Sequence, residues 1–119
     1  MGELEISARE AKENKSVSII ALKGAVDGYT LPKFEEETNN LLNAKRYKLI
    51  IDCKDLNFIS SAGVGVLIVL HSKLVSQNGD IKLVNMSPEV YEIFRLLGFS
   101  NVFRILNNER EALEEFERG

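Results

Sequence analysis

The sequence predicts an α/β fold with a mixed sheet of about four to five strands packed against about four helices. Three observations carry that expectation. Short apolar runs alternate with stretches of helical period, the pattern of strand–helix–strand units. The chain opens with two strand-like segments in succession, so the sheet is expected to be mixed. Its 119 residues, 45% hydrophobic and 28% charged, are one domain's worth of ordinary globular composition. We therefore expect a single domain over residues 1–119.

Residues 4–8 alternate weakly as a first strand. Residues 16–23 form a better one, with Val17, Ile19 and Ala21 on one face and Ile20 and Leu22 on the other. Residues 24–28 carry turn chemistry and are expected to end it. Thr30 is then a candidate N-cap, with Pro32 in the first helical turn, where its missing N–H costs nothing. Phe34, Thr38, Leu41 and Leu42 make one apolar stripe. Glu35, Glu36 and Glu37 towards the start and Lys45 and Arg46 at the end suit the helix macrodipole.

Residues 48–53 read as a strand covered on both faces, and residues 55–61 as a loop. Residues 62–77 have strand propensity, but the run continues without a turn for about 16 residues, which favours a buried helix. Ser60 or Ser61 would cap that helix and Gly79 would end it. Residues 80–85 are another strand. Ser87-Pro88-Glu89 starts a helix with the stripe Val90, Ile93, Phe94 and Leu97, closed by Gly98. Residues 102–106 add an edge strand, and Asn107 or Asn108 caps a last helix whose inner face is Ala112, Leu113 and Phe116.

The charge balance, 15 basic against 18 acidic residues for a net −3, argues against nucleic acid as a partner, because phosphate contacts need a concentrated basic face. Lys45, Arg46 and Lys48, the densest basic cluster, read as a solvated helix end and loop. Cys53 is the only cysteine and is expected to pack as a small hydrophobe. The start of the chain lacks the pattern of a signal peptide, and the longest apolar run, residues 62–70, falls short of the ~20 residues a membrane helix needs. A reducing cytoplasm is the expected location, with no membrane partner.

One His and one Cys without clustered partners predict no metal site and no cofactor. Ser61 lacks the first glycine of a nucleophile elbow, and His71 lies ten residues along the same helix, about 15 Å away. A receiver domain phosphorylated on Asp52 or Asp55 would need a second acidic cluster after its first strand, and there is none. An enzyme is therefore not expected. The informative segment is the loop-to-helix junction, where Ser60 and Ser61 stand at a helix start. Unpaired N–H groups there, with a partial positive charge, accommodate a phosphate. Gly63 and Gly65 would keep the first turn small and give a partner access to the backbone. A purely structural role, with the serines as caps and the glycines as packing, fits the same residues.

The junction reads Asp55-Leu56, Phe58-Ile59, then Ser60-Ser61-Ala62-Gly63-Val64-Gly65-Val66-Leu67. Gly24-Ala25-Val26-Asp27 follows an early strand, and the late Ser87-Pro88 helix ends in Leu97-Gly98-Phe99. Together, and in this order along nearly the whole chain, these motifs resemble the STAS domain family, specifically its bacterial anti-sigma factor antagonists. The resemblance implies a STAS-like fold and a phosphorylation switch. Such a protein binds an anti-sigma factor that is also a serine kinase, and so frees a sigma factor. Phosphorylation of a serine releases the complex until a serine phosphatase restores it.

Carried over, the phospho-acceptor is Ser61. Because Ser60 stands where the family has Asp, Ser60 is the alternative acceptor. The implied partner-binding residues are Asp27, Ser60, Ser61, Ala62, Gly63 and Val64, with Asp27 near Ser61. The competing implication is a STAS module that scaffolds a larger sensory complex and is not switched at these serines.

Overall fold

The computed structural model describes residues 3–118. Its elements run β1 (Leu4–Glu10), β2 (Val17–Val26), α1 (Leu31–Asn43), β3 (Lys48–Ile59), α2 (Ser61–Ser76), β4 (Asp80–Val84), α3 (Pro88–Leu96), β5 (Arg104–Leu106) and α4 (Glu109–Arg118). The strands form one mixed sheet in the order β1-β2-β3-β4-β5, with β1 antiparallel to β2 and the remaining neighbours parallel. The expected α/β class, strand number and helix number are all met.

The layering follows from chain handedness. From β2 onwards each new parallel strand is added on the same side, and right-handed crossovers then put every connecting helix on one face. Phe34 of α1, Leu67, Leu70 and Leu74 of α2 and Phe94 of α3 accordingly share one apolar core with Ile20, Leu22, Leu49 and Ile51 of the sheet. The last helix, after the last strand, is free to cover the other face. There Ala112 and Leu113 pack on Val17, Ile19, Ile50 and Val84. The alternation within β2 thus divides between two cores as its sequence implies, and the inner face of α4 lies where expected.

Two strands run further than their sequences suggest. β3 continues to Ile59, so residues 55–59 are not loop, and β2 continues through Gly24 to Val26. The cause is the changing neighbourhood of β3. β4 pairs only with Lys48–Asp52, and beyond that point β3 has β2 as its partner. Lys54, Asp55 and Asn57 can therefore be exposed while Cys53, Leu56 and Ile59 stay buried. In β2 the turn-like Gly24 is a bulge residue. Its φ is +114°, the register shifts on either side of it, and a Cβ there would lie 2.1 Å from the Glu3 carbonyl oxygen.

Several helix-end expectations change. Thr30 occupies the cap position of α1 but makes no side-chain cap hydrogen bond there. Lys45 and Arg46 lie beyond the end of α1, and its first turn holds no acidic residue, so the macrodipole pattern is not realised. Arg46 instead ties its loop to the sheet, with Nε donating to Ser18 Oγ at 2.7 Å and Nη2 to the Lys15 carbonyl at 2.7 Å. Leu97 of the α3 stripe is exposed, because α3 ends at Leu96 and Gly98, at φ +84°, turns the chain away. Ser87 and Asn108 do cap their helices, accepting from the N–H groups of Val90 at 3.1 Å and Glu111 at 2.9 Å.

Cys53 packs in the main core at 2% exposure, and burial, followed by the neighbouring Asp52 charge, pushes its thiol up to about 12. It is chemically quiet at neutral pH.

A charged cluster fastens α4 to the sheet edge. Arg104 binds Glu115 with Nη2–Oε2 at 2.6 Å, and Lys82, its side chain only 8% exposed, lies 3.4 Å from Glu115 and over the Phe116 ring. The Arg104 guanidinium first, and Lys82 next, hold the Glu115 carboxyl at about 2, against its ordinary 4.5, despite the opposing effect of partial burial. A carboxyl depressed on folding adds stability above its unfolded pKa, and that stability is lost as pH falls through the folded value. Glu115→Gln is therefore expected to be less stable than the wild type at pH 7, with the gap narrowing from about pH 4.5 towards 2. Urea midpoints across that range would check it, and a gap independent of pH would contradict the assignment.

Candidate functional site

Parallel β2 and β3 bring their carboxyl ends side by side, Val26 opposite Ile59. The chain leaves β2 into the loop before α1 and leaves β3 directly into α2. The Ser60 N–H donates to the Val26 carbonyl at 2.8 Å, which pins the start of α2 to the end of β2. Asp27 follows Val26 in the chain, so the backbone brings the two motifs singled out in the sequence to one edge of the molecule.

Ser60 and Ser61 are not equivalent there. Ser60 is the N-cap of α2, extended at φ −75° and ψ 164°, and its Oγ accepts the Gly63 N–H at 3.1 Å. Ser61 is the first residue of the helix and is exposed. The first turn of α2 contains no acidic residue, so nothing on the helix offsets the partial positive charge at its start.

Ala62 is exposed beside Ser61, but Gly63 and Val64 are buried. A Cβ on Gly63 would lie 2.7 Å from Val26 Cγ1 and 2.8 Å from Ile59 Cγ1. This glycine is needed because α2 packs closely on the two strand ends. Val64 is fully buried in the core and offers a partner no surface. Gly65 differs: a Cβ there would meet nothing within 4 Å, because the residue borders an open groove between α1 and α2 along with Leu31, Leu42, Ala62 and Val69.

One oxygen of the Asp27 carboxylate is engaged by its own loop. Its Oδ1 accepts the N–H groups of Tyr29 at 2.9 Å and Thr30 at 3.1 Å. Two residues at this edge were not singled out as site residues from the sequence, Tyr29 at 77% exposure and Phe58 at 44%. Both have apolar residues at strand spacing, Leu31 two after Tyr29 and Leu56 two before Phe58, so periodicity gave no signal that either ring is exposed.

The chain's single histidine lies away from Ser61. His71 Nε2 is 3.6 Å from Asp80 Oδ1 and its ring meets Phe103 edge-on, well along α2. Among the described residues no group of three or more His, Cys, Asp or Glu could hold a metal, and no helix is long and apolar enough to cross a membrane. What the arrangement offers is an exposed serine on a helix start whose first turn carries no acid, at the same pair of strand ends that Tyr29 and Phe58 adjoin.

A family model described as the STAS domain matches residues 8–112. The chain belongs to the STAS domain family. It is 28% identical to the anti-sigma-B factor antagonist of Listeria monocytogenes, over 86% of this chain and 90% of that protein. Among solved structures it is similar to an anti-sigma factor antagonist from Mycobacterium paratuberculosis, with a TM-score of 0.83 and 21% identity over 95% of this chain and 93% of that one. It also resembles the Bacillus cell fate determinant SpoIIAA in the phosphorylated form, with a TM-score of 0.70 and 19% identity over 94% and 99% of the two chains.

In this STAS domain the family-like motif straddles the sheet and the helix it feeds. Its first part, Asp55 to Ile59, is strand, and its second part, from Ser61, is the first turn of α2. Ser60 alone is the hinge between them.

Proposed function

We propose that this STAS domain, read as one unit over residues 1–119, is an anti-sigma factor antagonist of the cytoplasm. It binds an anti-sigma factor that is also a serine kinase, thereby frees a sigma factor, and is switched off by phosphorylation of Ser61. A serine phosphatase reverses the switch. It catalyses no reaction itself. The reading rests on the kinship with antagonists and on one observation, that the Ser61 hydroxyl is exposed at the helix start while the neighbouring Ser60 Oγ is engaged by Gly63 N–H.

The chemistry of release follows from charge. A phosphate adds about −1.5 to −2 charges and three acceptor oxygens. The start of α2, with its unpaired N–H groups, holds that dianion without a change of fold. A partner surface shaped around a neutral hydroxyl must instead desolvate it, which is costly without a matching cation.

The test is a pull-down from native lysate with the wild-type domain as bait, followed by addition of ATP to the washed complex. An anti-sigma factor with kinase activity is expected on the bait, with release on ATP and phosphate mapped by mass spectrometry to Ser61. Ser61→Ala should bind and resist release. Ser60→Ala should still be phosphorylated, at a cost of about 1 kcal/mol in stability for the lost cap. Phosphate found on Ser60 would move the acceptor by one residue, and recovery of a sensory assembly indifferent to ATP would replace the antagonist with a scaffold.

A further inference from the structure

The loop between β2 and α1 presents a largely exposed aromatic ring, Tyr29, which borders a recess together with Lys33, Lys54 and Asp55. We propose that Tyr29 is an anchor by which the anti-sigma factor docks beside Ser61, and that Asp27 is a positioning residue acting through Tyr29 without itself touching the partner. This inference rests on the functional reading above and specifies its surface.

Tyr29 is 77% exposed, the highest value among the exposed large hydrophobics of the described residues. Its backbone is nonetheless tightly held. Asp27 Oδ1 accepts from Tyr29 N–H at 2.9 Å and from Thr30 N–H at 3.1 Å. Thr30 returns the clamp, its Oγ1 accepting from Asp27 N–H at 2.9 Å and donating to the Ala25 carbonyl at 2.7 Å. The Leu31 N–H closes the loop onto the Asp27 carbonyl at 2.9 Å. The clamp fixes the backbone on both sides of Tyr29, whose side chain is exposed.

Rigid presentation of an exposed aromatic favours binding. The loop is ordered before the partner arrives, so less conformational freedom is lost on docking. Tyrosine buries a large area with few rotatable bonds and is enriched among residues that dominate interface energy. Its placement fits the switch. The Ser60 N–H bond to the Val26 carbonyl makes the Tyr29 loop and the Ser61 junction leave the same pair of strand ends. Phe58, 44% exposed and opposite Ala25 in the β2–β3 pair, adds a second exposed aromatic at that end. Gly28, whose Cβ would meet nothing within 4 Å, leaves the approach unobstructed. The matching feature on the partner is an apolar pocket that takes a phenol ring while the adjoining surface covers the Ser61 hydroxyl.

The test is calorimetric titration of the purified anti-sigma factor against the full chain carrying Tyr29→Ala, Asp27→Ala, Asp27→Asn, or Asp27→Ala with Tyr29→Ala. Tyr29→Ala should weaken binding at least about thirtyfold, the scale of an interface hot spot. Asp27→Ala should also weaken it strongly. Asp27→Asn, whose side-chain oxygen still accepts both N–H groups, should stay within about threefold of wild type. The double variant should bind within about threefold of Tyr29→Ala alone, since Asp27 acts only through that ring. Urea unfolding of Tyr29→Ala should stay close to wild type, because the ring is largely exposed.

Tyr29→Ala binding like wild type would overturn the anchor and leave the functional reading standing. Asp27→Asn as weak as Asp27→Ala would overturn the positioning role and make the charge itself a partner contact. A wild-type chain that binds no anti-sigma factor would overturn the functional reading, and the anchor with it.

Discussion

Ser61→Glu is expected to weaken the complex with the anti-sigma factor about a hundredfold, the equivalent of roughly 3 kcal/mol. The argument turns on where the new charge sits. Ser61 is exposed in the free domain, so a carboxylate there is solvated and costs the fold little. The partial positive charge at the start of α2 even favours it by some tenths of a kcal/mol. Stability and binding should therefore move in opposite directions. In the complex the same carboxylate must shed water against a surface shaped for a hydroxyl, and an uncompensated buried charge costs about 3–5 kcal/mol. Titration of the purified partner, with urea unfolding of the free variant in parallel, measures both. Unchanged affinity would remove Ser61 from the interface. Affinity lost together with stability would mean the charge disturbs the fold and not the contact.

The same residues indicate how much was legible beforehand. The order of elements could be read because each helix carries its own start signal. Pro32 and Ser87-Pro88 mark first turns, Asn108 caps α4, and the apolar stripes of α1 and α3 match the buried residues Phe34, Thr38, Val90 and Phe94. The junction at Ser60 and Ser61 was legible for the same reason, since adjacent hydroxyls before a long apolar run are local chemistry. Which serine caps was not legible, because either hydroxyl satisfies the pattern and only the backbone geometry at Ser60, extended at ψ 164°, decides it.

What depends on neighbours distant in sequence was misread. Residues 55–59 look like loop because their polar side chains are judged by composition, whereas pairing with β2 makes them strand. The close approach of Gly63 to Val26 and Ile59 was not legible for the same reason.

Gly79→Ala is expected to destabilise the domain by about 3 kcal/mol, at the upper end of overpacking costs. The sequence reading gives this glycine the task of ending α2, but in the structure Asn78, at φ +62°, takes the left-handed position. The helix closes with Asn78 N–H on the Val75 carbonyl at 3.0 Å and Gly79 N–H on the Leu74 carbonyl at 2.8 Å, the Schellman arrangement with Asn78 in the left-handed position. Gly79 is required for a different reason. A Cβ there would lie 1.9 Å from the Tyr47 carbonyl oxygen and 2.7 Å from Tyr47 Cβ. That carbonyl accepts the Asp80 N–H at 3.0 Å, at the point where Lys48 pairs with Asp80 to start the β3–β4 ladder. Relief can come only by moving backbone, since the nearest atom is a main-chain oxygen with no rotamer to change. Opening this junction separates the first residues of two central strands. Asn78→Gly is the control: it keeps the left-handed turn without a Cβ, and should leave stability within about 0.5 kcal/mol. Urea midpoints of the two variants decide between the accounts. A large loss in Gly79→Ala with little change in Asn78→Gly places the constraint in the contact with Tyr47, whereas a Gly79→Ala variant as stable as wild type would mean that strand junction yields freely.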